Sequence, residues 1–235
     1  MRADQGRVNF LDFARGCAVL GMVLSHAIYD LGAFFSVDVS FMEAPALTAL
    51  RIFGVIVFTS VSGICTGFSR NSLRRGGIVL LASFLVSAVT LLFVPEQRIL
   101  FGILSLMGCS MILTALLRKF LKKIPLAIAL PALICLFAVS LTVFPIDVPV
   151  GFLFPLGLLR SDFYSADYYP LIPWIFSFWA GFFLSESVQE GKFPAWFYSF
   201  SCPPVNFIGK KALWVYLLQQ PVLMGIFYLV FRIVR

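Results

Sequence analysis

Seven long apolar stretches, separated by short polar segments, set the pattern of this chain. A helix that crosses a bilayer needs about 20 consecutive apolar residues. Stretches near this length, the sixth rather short, occupy residues 9–35, 47–68, 76–94, 99–117, 124–144, 169–184 and 212–230. The pattern predicts an all-α protein, a polytopic transmembrane helical bundle of about seven spans that forms a single integral membrane domain over residues 1–235.

Two further apolar segments are too short to cross a bilayer. Residues 148–159 contain Pro149 and Pro155 and predict a re-entrant or interfacial segment, which would bring the membrane-inserted segments to eight. Residues 193–200 are rich in aromatic side chains, which is typical of a segment at the membrane–water interface.

Composition and charge agree with a membrane protein. The chain is 60% hydrophobic and 12% charged, whereas a soluble protein is about one quarter charged. The net charge of +7 does not indicate nucleic-acid binding, because the basic residues lie in short loops that orient the protein and contact anionic membrane lipid. A cytoplasmic N-terminus places 12 of the 18 basic residues on the cytoplasmic side: Arg2, Arg7, Arg70, Arg74, Arg75, Arg118, Lys119, Lys122, Lys123, Lys192, Lys210 and Lys211.

The first span carries a stripe of ionisable residues. At about 100° per residue, Asp12, Arg15, His26 and Asp30 fall within a sector about 60° wide. Ionisable groups at membrane depth are costly, so they usually face a protein interior or a water-filled cavity. The stripe is therefore the first candidate for a functional site.

His26, the only histidine, and Asp30 are four residues apart and share a helix face. A carboxylate that accepts a proton from one imidazole nitrogen leaves the other nitrogen free as a base, so both residues are predicted to be catalytic. The alternative is a polar contact that holds two helices together.

Asp12 and Arg15, three residues apart, are predicted to form an ion pair. The pair is either structural or catalytic, in which case Asp12 holds Arg15 against a phosphate or an acyl carbonyl. Arg51, at the start of the second span, either reaches the membrane surface or joins the stripe as a substrate-binding residue.

Two further groups are candidate substrate-binding residues. Asp167, Tyr168 and Trp174 precede and open the sixth span, where they form either a substrate vestibule or a helix start with interfacial aromatics. Gln219 and Gln220 precede a proline inside the last span, where they line a cavity or only accompany a kink. One histidine and no paired cysteines predict no metal site.

These residues together resemble the catalytic-domain family of heparan-alpha-glucosaminide N-acetyltransferase, in its short bacterial form, within a wider group of transmembrane acyltransferases. The match is carried by the first span, which reads Leu11-Asp12-Phe-Ala-Arg15-Gly16, then Met22, then His26-Ala-Ile-Tyr-Asp30-Leu31. Further matches are Ser62-Gly63, Phe101-Gly102-Ile-Leu104, Asp167-Tyr168-Tyr169-Pro170, Pro173-Trp174, Tyr216-Leu217 and Gln220-Pro221. The chain departs from relatives that carry histidine at the positions of Ser105 and Gln219.

The resemblance implies a membrane acyltransferase of the bacterial cytoplasmic (inner) membrane. An acetyl or acyl group would pass from cytoplasmic acetyl-CoA or another acyl-CoA to an amine or hydroxyl of a sugar or glycolipid acceptor on the other side. Arg15 and the loop residues Arg70, Arg74 and Arg75 would hold the phosphates of the donor. The resemblance does not indicate which acceptor is used, how long the acyl chain is or whether the protein forms a homodimer.

Two alternatives are compatible with the same residues. A proton-coupled transporter or flippase would use His26 and Asp30 as a proton relay. A noncatalytic lipid-binding membrane subunit would instead seal the polar stripe with pairs between helices.

Overall fold

The computed structural model describes residues 8–233, and their side chains as far as Val230. The basic residues Arg2 and Arg7 lie outside the described residues. Nine α-helices occur in the described part: α1 (Asn9–Phe35), α2 (Pro45–Phe68), α3 (Ser72–Phe93), α4 (Ile103–Leu121), α5 (Leu126–Val143), α6 (Leu171–Gln189), α7 (Ala195–Ser199), α8 (Pro203–Lys210) and α9 (Ala212–Ile233).

Seven of these helices are long and apolar enough to cross a membrane among the residues that the structure describes. They are α1 to α6 and α9, so the predicted all-α polytopic bundle of about seven spans is confirmed. The first span keeps its predicted bounds. The fourth begins at Ile103 rather than at residue 99, because Phe101 takes a positive φ of 58° and Gly102 is extended.

The segment at 148–159 forms no helix long enough to cross a membrane. It contains a short 3-10 turn, Phe154–Leu156. The two-residue strand β1 (Ile146–Asp147), just before the segment, pairs in parallel with β2 (Leu158–Leu159) at its end. The aromatic segment at 193–200 contains the one-turn helix α7.

The contacts divide the described chain into two compact units, residues 8–58 with 193–233, and Thr59–Lys192. The predicted single domain stays a prediction. In the first unit α1 packs against α7, α8 and α9. The crossing of α1 and α8 requires glycine, since a Cβ at Gly209 would lie 1.9 Å from the Asp12 carbonyl oxygen and one at Gly16 would lie 2.2 Å from that of Val205.

Aromatic rings and one amide fix the start of α1 in this unit. Phe10 packs on Trp196 and Phe197 of α7, with ring centroids 5.2 and 5.0 Å apart. Asn206, buried in α8, donates a 3.2 Å hydrogen bond to the Asn9 carbonyl oxygen. These contacts place the short helices α7 and α8 beside the N-terminal half of α1.

The second unit is built around α4 and α6 and the C-terminal part of α2. A Cβ at Gly63 would lie 1.9 Å from the Phe178 carbonyl oxygen, so α2 and α6 also cross at a glycine. Thr59 and Ser177 share a buried 2.7 Å hydrogen bond across the same crossing. Ser83 and Ser105 link α3 to α4 by a 2.5 Å hydrogen bond.

Candidate functional site

The polar stripe of α1 lies against neighbouring helices of its own unit. Asp12 and Asp30 are buried, 3% and 2% exposed, and Arg15 and His26 are half-buried. The Asp12 end of the stripe lies at the crossing with α8, and His26 and Asp30 contact α9. The stripe thus occupies a protein interior, as the cost of ionisable groups in lipid predicts.

His26 is held from α9. Its Nδ1 lies 2.8 Å from Nε2 of Gln219. Gln219 is 7% exposed, and its carbonyl oxygen Oε1 is buried with no hydrogen-bond partner among the described residues. The contact occupies one imidazole nitrogen and leaves Nε2 as the nitrogen that can meet a substrate.

Asp30 is held by the next residue of α9. Nε2 of Gln220 donates to both carboxylate oxygens of Asp30, each at 2.9 Å. The hydrogen bond of His26 therefore runs to Gln219, and not to Asp30 as its spacing suggested. The reason is geometric: residues four apart share a face, but the facing helix brings an amide nearer to each.

Asp12 and Arg15 form the predicted pair, with Nη1 of Arg15 3.8 Å from Oδ1 of Asp12. By side chain alone, Asp12 is 5% exposed and Arg15 is 14% exposed. Arg51, by contrast, makes local contacts and stays exposed. It donates to the Met42 carbonyl oxygen and to Oγ1 of Thr48, each at 3.2 Å.

A cationic depression lies where α3 begins and α4 ends, in the second unit. It has a volume of about 450 Å³ and is lined by Arg70, Asn71, Ser72, Leu73, Arg74, Ala115, Leu116 and Arg118. Arg70 and Arg74 are exposed, and neither has a hydrogen-bond or ion-pair partner among the described residues. Arg75 is also exposed but lies outside this lining.

Arg118 forms the fixed part of the depression. Its guanidinium donates to the carbonyl oxygens of Gly67 and Ser69, at 2.5 and 2.8 Å, where α2 ends. The sequence alone indicates Arg118 only as an orienting loop cation, because nothing in the spacing links position 118 to position 70. Three guanidinium groups and the amino end of α3 make the depression suited to phosphate.

Asp167 lies inside the second unit. It is 9% exposed, and its Oδ2 accepts a 3.3 Å hydrogen bond from the Ile103 backbone N–H at the start of α4. A carboxylate at this position stabilises the amino end of a helix. Its observed contact is therefore structural, and its predicted binding of substrate stays a prediction.

The two aromatic candidates also make internal contacts. The Tyr168 hydroxyl donates a 2.6 Å hydrogen bond to the Phe154 carbonyl oxygen, and burial raises the pKa of Tyr168 to about 12. Trp174 is 8% exposed and packs between the rings of Phe137 and Tyr169. Both side chains therefore contribute contacts that stabilise the fold, and their binding of substrate remains a prediction.

No group of three or more histidine, cysteine, aspartate or glutamate side chains that could hold a metal ion occurs in the described part of the chain.

Seven apolar spans with a buried ionisable stripe define an integral membrane protein. The family model for the catalytic domain of heparan-alpha-glucosaminide N-acetyltransferase matches residues 7–221, and the chain belongs to that family of membrane acetyltransferases. Comparison with curated proteins gave no match, and comparison with solved structures gave none.

Proposed function

We propose that the protein transfers an acetyl or other acyl group from acyl-CoA to an amine or hydroxyl of a sugar or glycolipid. The observation that carries the proposal is the pair of half-buried His26 and buried Asp30, each hydrogen-bonded to an amide of α9. The pair belongs to a chain whose family is named for N-acetyl transfer. Ionisable residues within membrane spans are rare and commonly mark a substrate pathway or a site of proton transfer, which supports a catalytic role for this pair.

In the proposed reaction His26 acts through Nε2. This nitrogen takes the proton of the acceptor amine or hydroxyl, the acceptor attacks the thioester carbonyl, and the carbon–sulfur bond breaks. The imidazolium returns its proton to the leaving thiolate. Asp30 stabilises the positive charge on the ring while it lasts, and a positioned general base of this kind typically contributes about 10²–10⁴-fold to the rate.

A covalent variant uses the same nitrogen, which first takes the acyl group and then passes it to the acceptor. Rapid acid quenching after mixing with labelled acetyl-CoA distinguishes the two routes. Label that stays on the protein, and is absent from His26→Ala, indicates the covalent route.

The cationic depression is the proposed site for donor phosphates. Coenzyme A carries a diphosphate and a ribose phosphate, and unpartnered guanidinium groups such as those of Arg70 and Arg74 bind phosphate strongly. Arg118, fixed by two carbonyl oxygens, adds a third charge, and Arg75 adds charge nearby. Arg15 is the proposed cation for the donor in the first unit, held in place by Asp12.

The proposed orientation has the N-terminus and the start of α3 in the cytoplasm, in a bacterial inner membrane. The positive-inside rule supports this assignment, since the basic ends of α3 and α4 meet in one unit. The acceptor would then bind on the opposite side of the membrane, where Asp167, Tyr168 and Arg51 remain candidate contacts.

The test is acetyl transfer by the purified full chain in proteoliposomes, with radiolabelled acetyl-CoA and a panel of amino sugars. We expect transfer by the wild type, a loss of at least about 100-fold in kcat for His26→Ala, and full activity for Ser25→Ala. Ser25 is a matched control because it adjoins His26 but hydrogen-bonds within its own helix, to the Gly21 carbonyl oxygen. Full activity of His26→Ala would contradict the proposal, and proton-driven solute uptake without any transfer would favour the transporter alternative.

A further inference from the structure

Two consecutive amides of α9 hold the two candidate catalytic groups of α1. Gln219 contacts Nδ1 of His26 at 2.8 Å, and Gln220 bonds both oxygens of Asp30 at 2.9 Å. Gln219 is 7% exposed, and Gln220, itself exposed, reaches the carboxylate of Asp30, which is 2% exposed. Two neighbouring residues of α9 thus pair with two residues of α1 that are one turn apart: Gln219 with His26, and Gln220 with Asp30.

The orientation of the Gln219 amide decides which imidazole nitrogen carries the proton. When the amide nitrogen faces Nδ1, that nitrogen must accept, so the ring proton is on Nε2 and Nε2 is not a base. In this orientation Oε1 of Gln219 has no hydrogen-bond partner among the described residues. When the amide turns by 180°, its carbonyl oxygen accepts from Nδ1–H, and Nε2 keeps a free lone pair.

Only the second arrangement is compatible with proton transfer at Nε2. Once His26 has taken a proton it is an imidazolium with two N–H groups, and Nδ1–H then needs an acceptor. The Gln219 carbonyl oxygen supplies one in the same volume, whereas an amide N–H₂ would oppose it. Gln220 meanwhile keeps the Asp30 carboxylate fixed beside the ring that becomes charged.

We propose that Gln219 and Gln220 are positioning residues: Gln219 fixes the ring tautomer of His26 through its carbonyl oxygen, and Gln220 fixes the carboxylate of Asp30. The proposal rests on the proposed function, in which His26 is the base, and it replaces the expectation that these amides bind substrate. Gln219 thus acts on the acceptor only through His26, and Gln220 only through Asp30.

Because His26 is the only histidine in the chain, its ring nitrogens can be observed directly. The full chain is labelled with ¹⁵N-histidine, and the protonated and unprotonated ring nitrogens are assigned by NMR in detergent micelles at a pH where the ring is neutral. We expect Nδ1–H to exceed Nε2–H in the wild type by roughly fivefold, about the ratio that one net hydrogen bond supports. In Gln219→Leu the preference should disappear, and in Ser25→Ala it should remain.

Kinetics provide the second readout. Gln219→Leu should lower kcat by about tenfold or more and leave KM for acetyl-CoA unchanged, and Gln219→Glu, whose carboxylate also accepts from Nδ1–H, should recover most of the loss. A substrate-binding role would instead raise KM for the acceptor. Predominant Nε2–H in the wild type, or an unchanged tautomer in Gln219→Leu, would overturn the proposal.

The two readouts also separate this proposal from the proposed function. The NMR experiment needs no acetyl transfer, so an inactive wild type with predominant Nδ1–H would contradict the acyltransferase and leave the positioning by Gln219 supported. An active wild type, together with a His26 tautomer that is unchanged in Gln219→Leu, would contradict the positioning alone. If Gln219→Leu does not fold, Gln219→Glu must still show Nδ1–H in excess, and its failure to do so overturns the proposal.

Discussion

The hydrogen bonds between Asp30 and Gln220 should be measurable as a coupling free energy. Asp30 is 2% exposed, and one amide nitrogen meets both of its carboxylate oxygens at 2.9 Å. Hydrogen bonds to charged groups contribute about 1.5–3 kcal/mol net, but bonds between membrane helices average about 0.6 kcal/mol, with about 1.7 kcal/mol as the largest value. We therefore expect a coupling of about 1.5 kcal/mol, near the upper end for a membrane helix pair.

A double-mutant cycle isolates this value. Gln220→Leu leaves a buried carboxylate without its partner, and Asp30→Leu removes the acceptor of the Gln220 amide, so each single variant should lose stability. The double variant has two apolar side chains in contact and should lose less than the sum of the two. The measurement is the free energy of unfolding of each variant in mixed micelles with increasing SDS.

The control cycle pairs Gln220→Leu with Asp12→Asn. Asp12 lies 18 residues before Asp30, about 27 Å along α1, so these two changes should add independently. A coupling below about 0.3 kcal/mol for the pair of Asp30 and Gln220 would refute the reasoning, because it would mean that the contact adds no stability to the packing of α1 on α9.

Three further predictions concern other parts of the molecule. Gly209→Val should prevent or strongly weaken folding, because a Cβ there would lie 1.9 Å from a carbonyl oxygen of α1. Gly225→Ala should fold normally, because the space around Gly225 is open. Thermal unfolding followed by circular dichroism compares the two variants. Absorbance at 295 nm should show one tyrosine with a pKa of about 12, and Tyr168→Phe should remove that step. A Tyr168 that titrates at the ordinary tyrosine pKa would contradict the buried contact. Arg70→Gln with Arg74→Gln should raise KM for acetyl-CoA about tenfold or more but leave KM for acetylpantetheine, which lacks the nucleotide phosphates, unchanged; an equal effect on both donors would contradict phosphate binding.

The helices of the fold follow from the apolar pattern because each span must satisfy its own backbone hydrogen bonds. The bounds of α1 were predictable for this reason, and so was the placement of its ionisable stripe in an interior. The short helix α8 was not, since eight residues with two prolines at the start carry no span signal. Its position depends on Gly16 and Gly209, whose close approach across nearly 200 residues no local pattern reveals.

The candidate site was predictable in its members but not in its contacts. Spacing along one helix identified His26 and Asp30, yet the partner of each comes from α9, and helix periodicity does not indicate which residues of two spans meet. Asp167 and Trp174 show the opposite case. Their polar and aromatic character suggested a binding site, which stays a prediction, and gave no sign that Asp167 would accept a hydrogen bond from the start of α4 or that Trp174 would pack beside Phe137.

The most direct test of the account is the rate of a single acetyl transfer with and without the imidazole. Excess full-length protein in proteoliposomes is mixed with limiting labelled acetyl-CoA and a saturating amino sugar, and product is counted after rapid quenching. We expect His26→Ala to bind acetyl-CoA as the wild type does but to form product at least about 100-fold more slowly. Equal rates for the two proteins would contradict it.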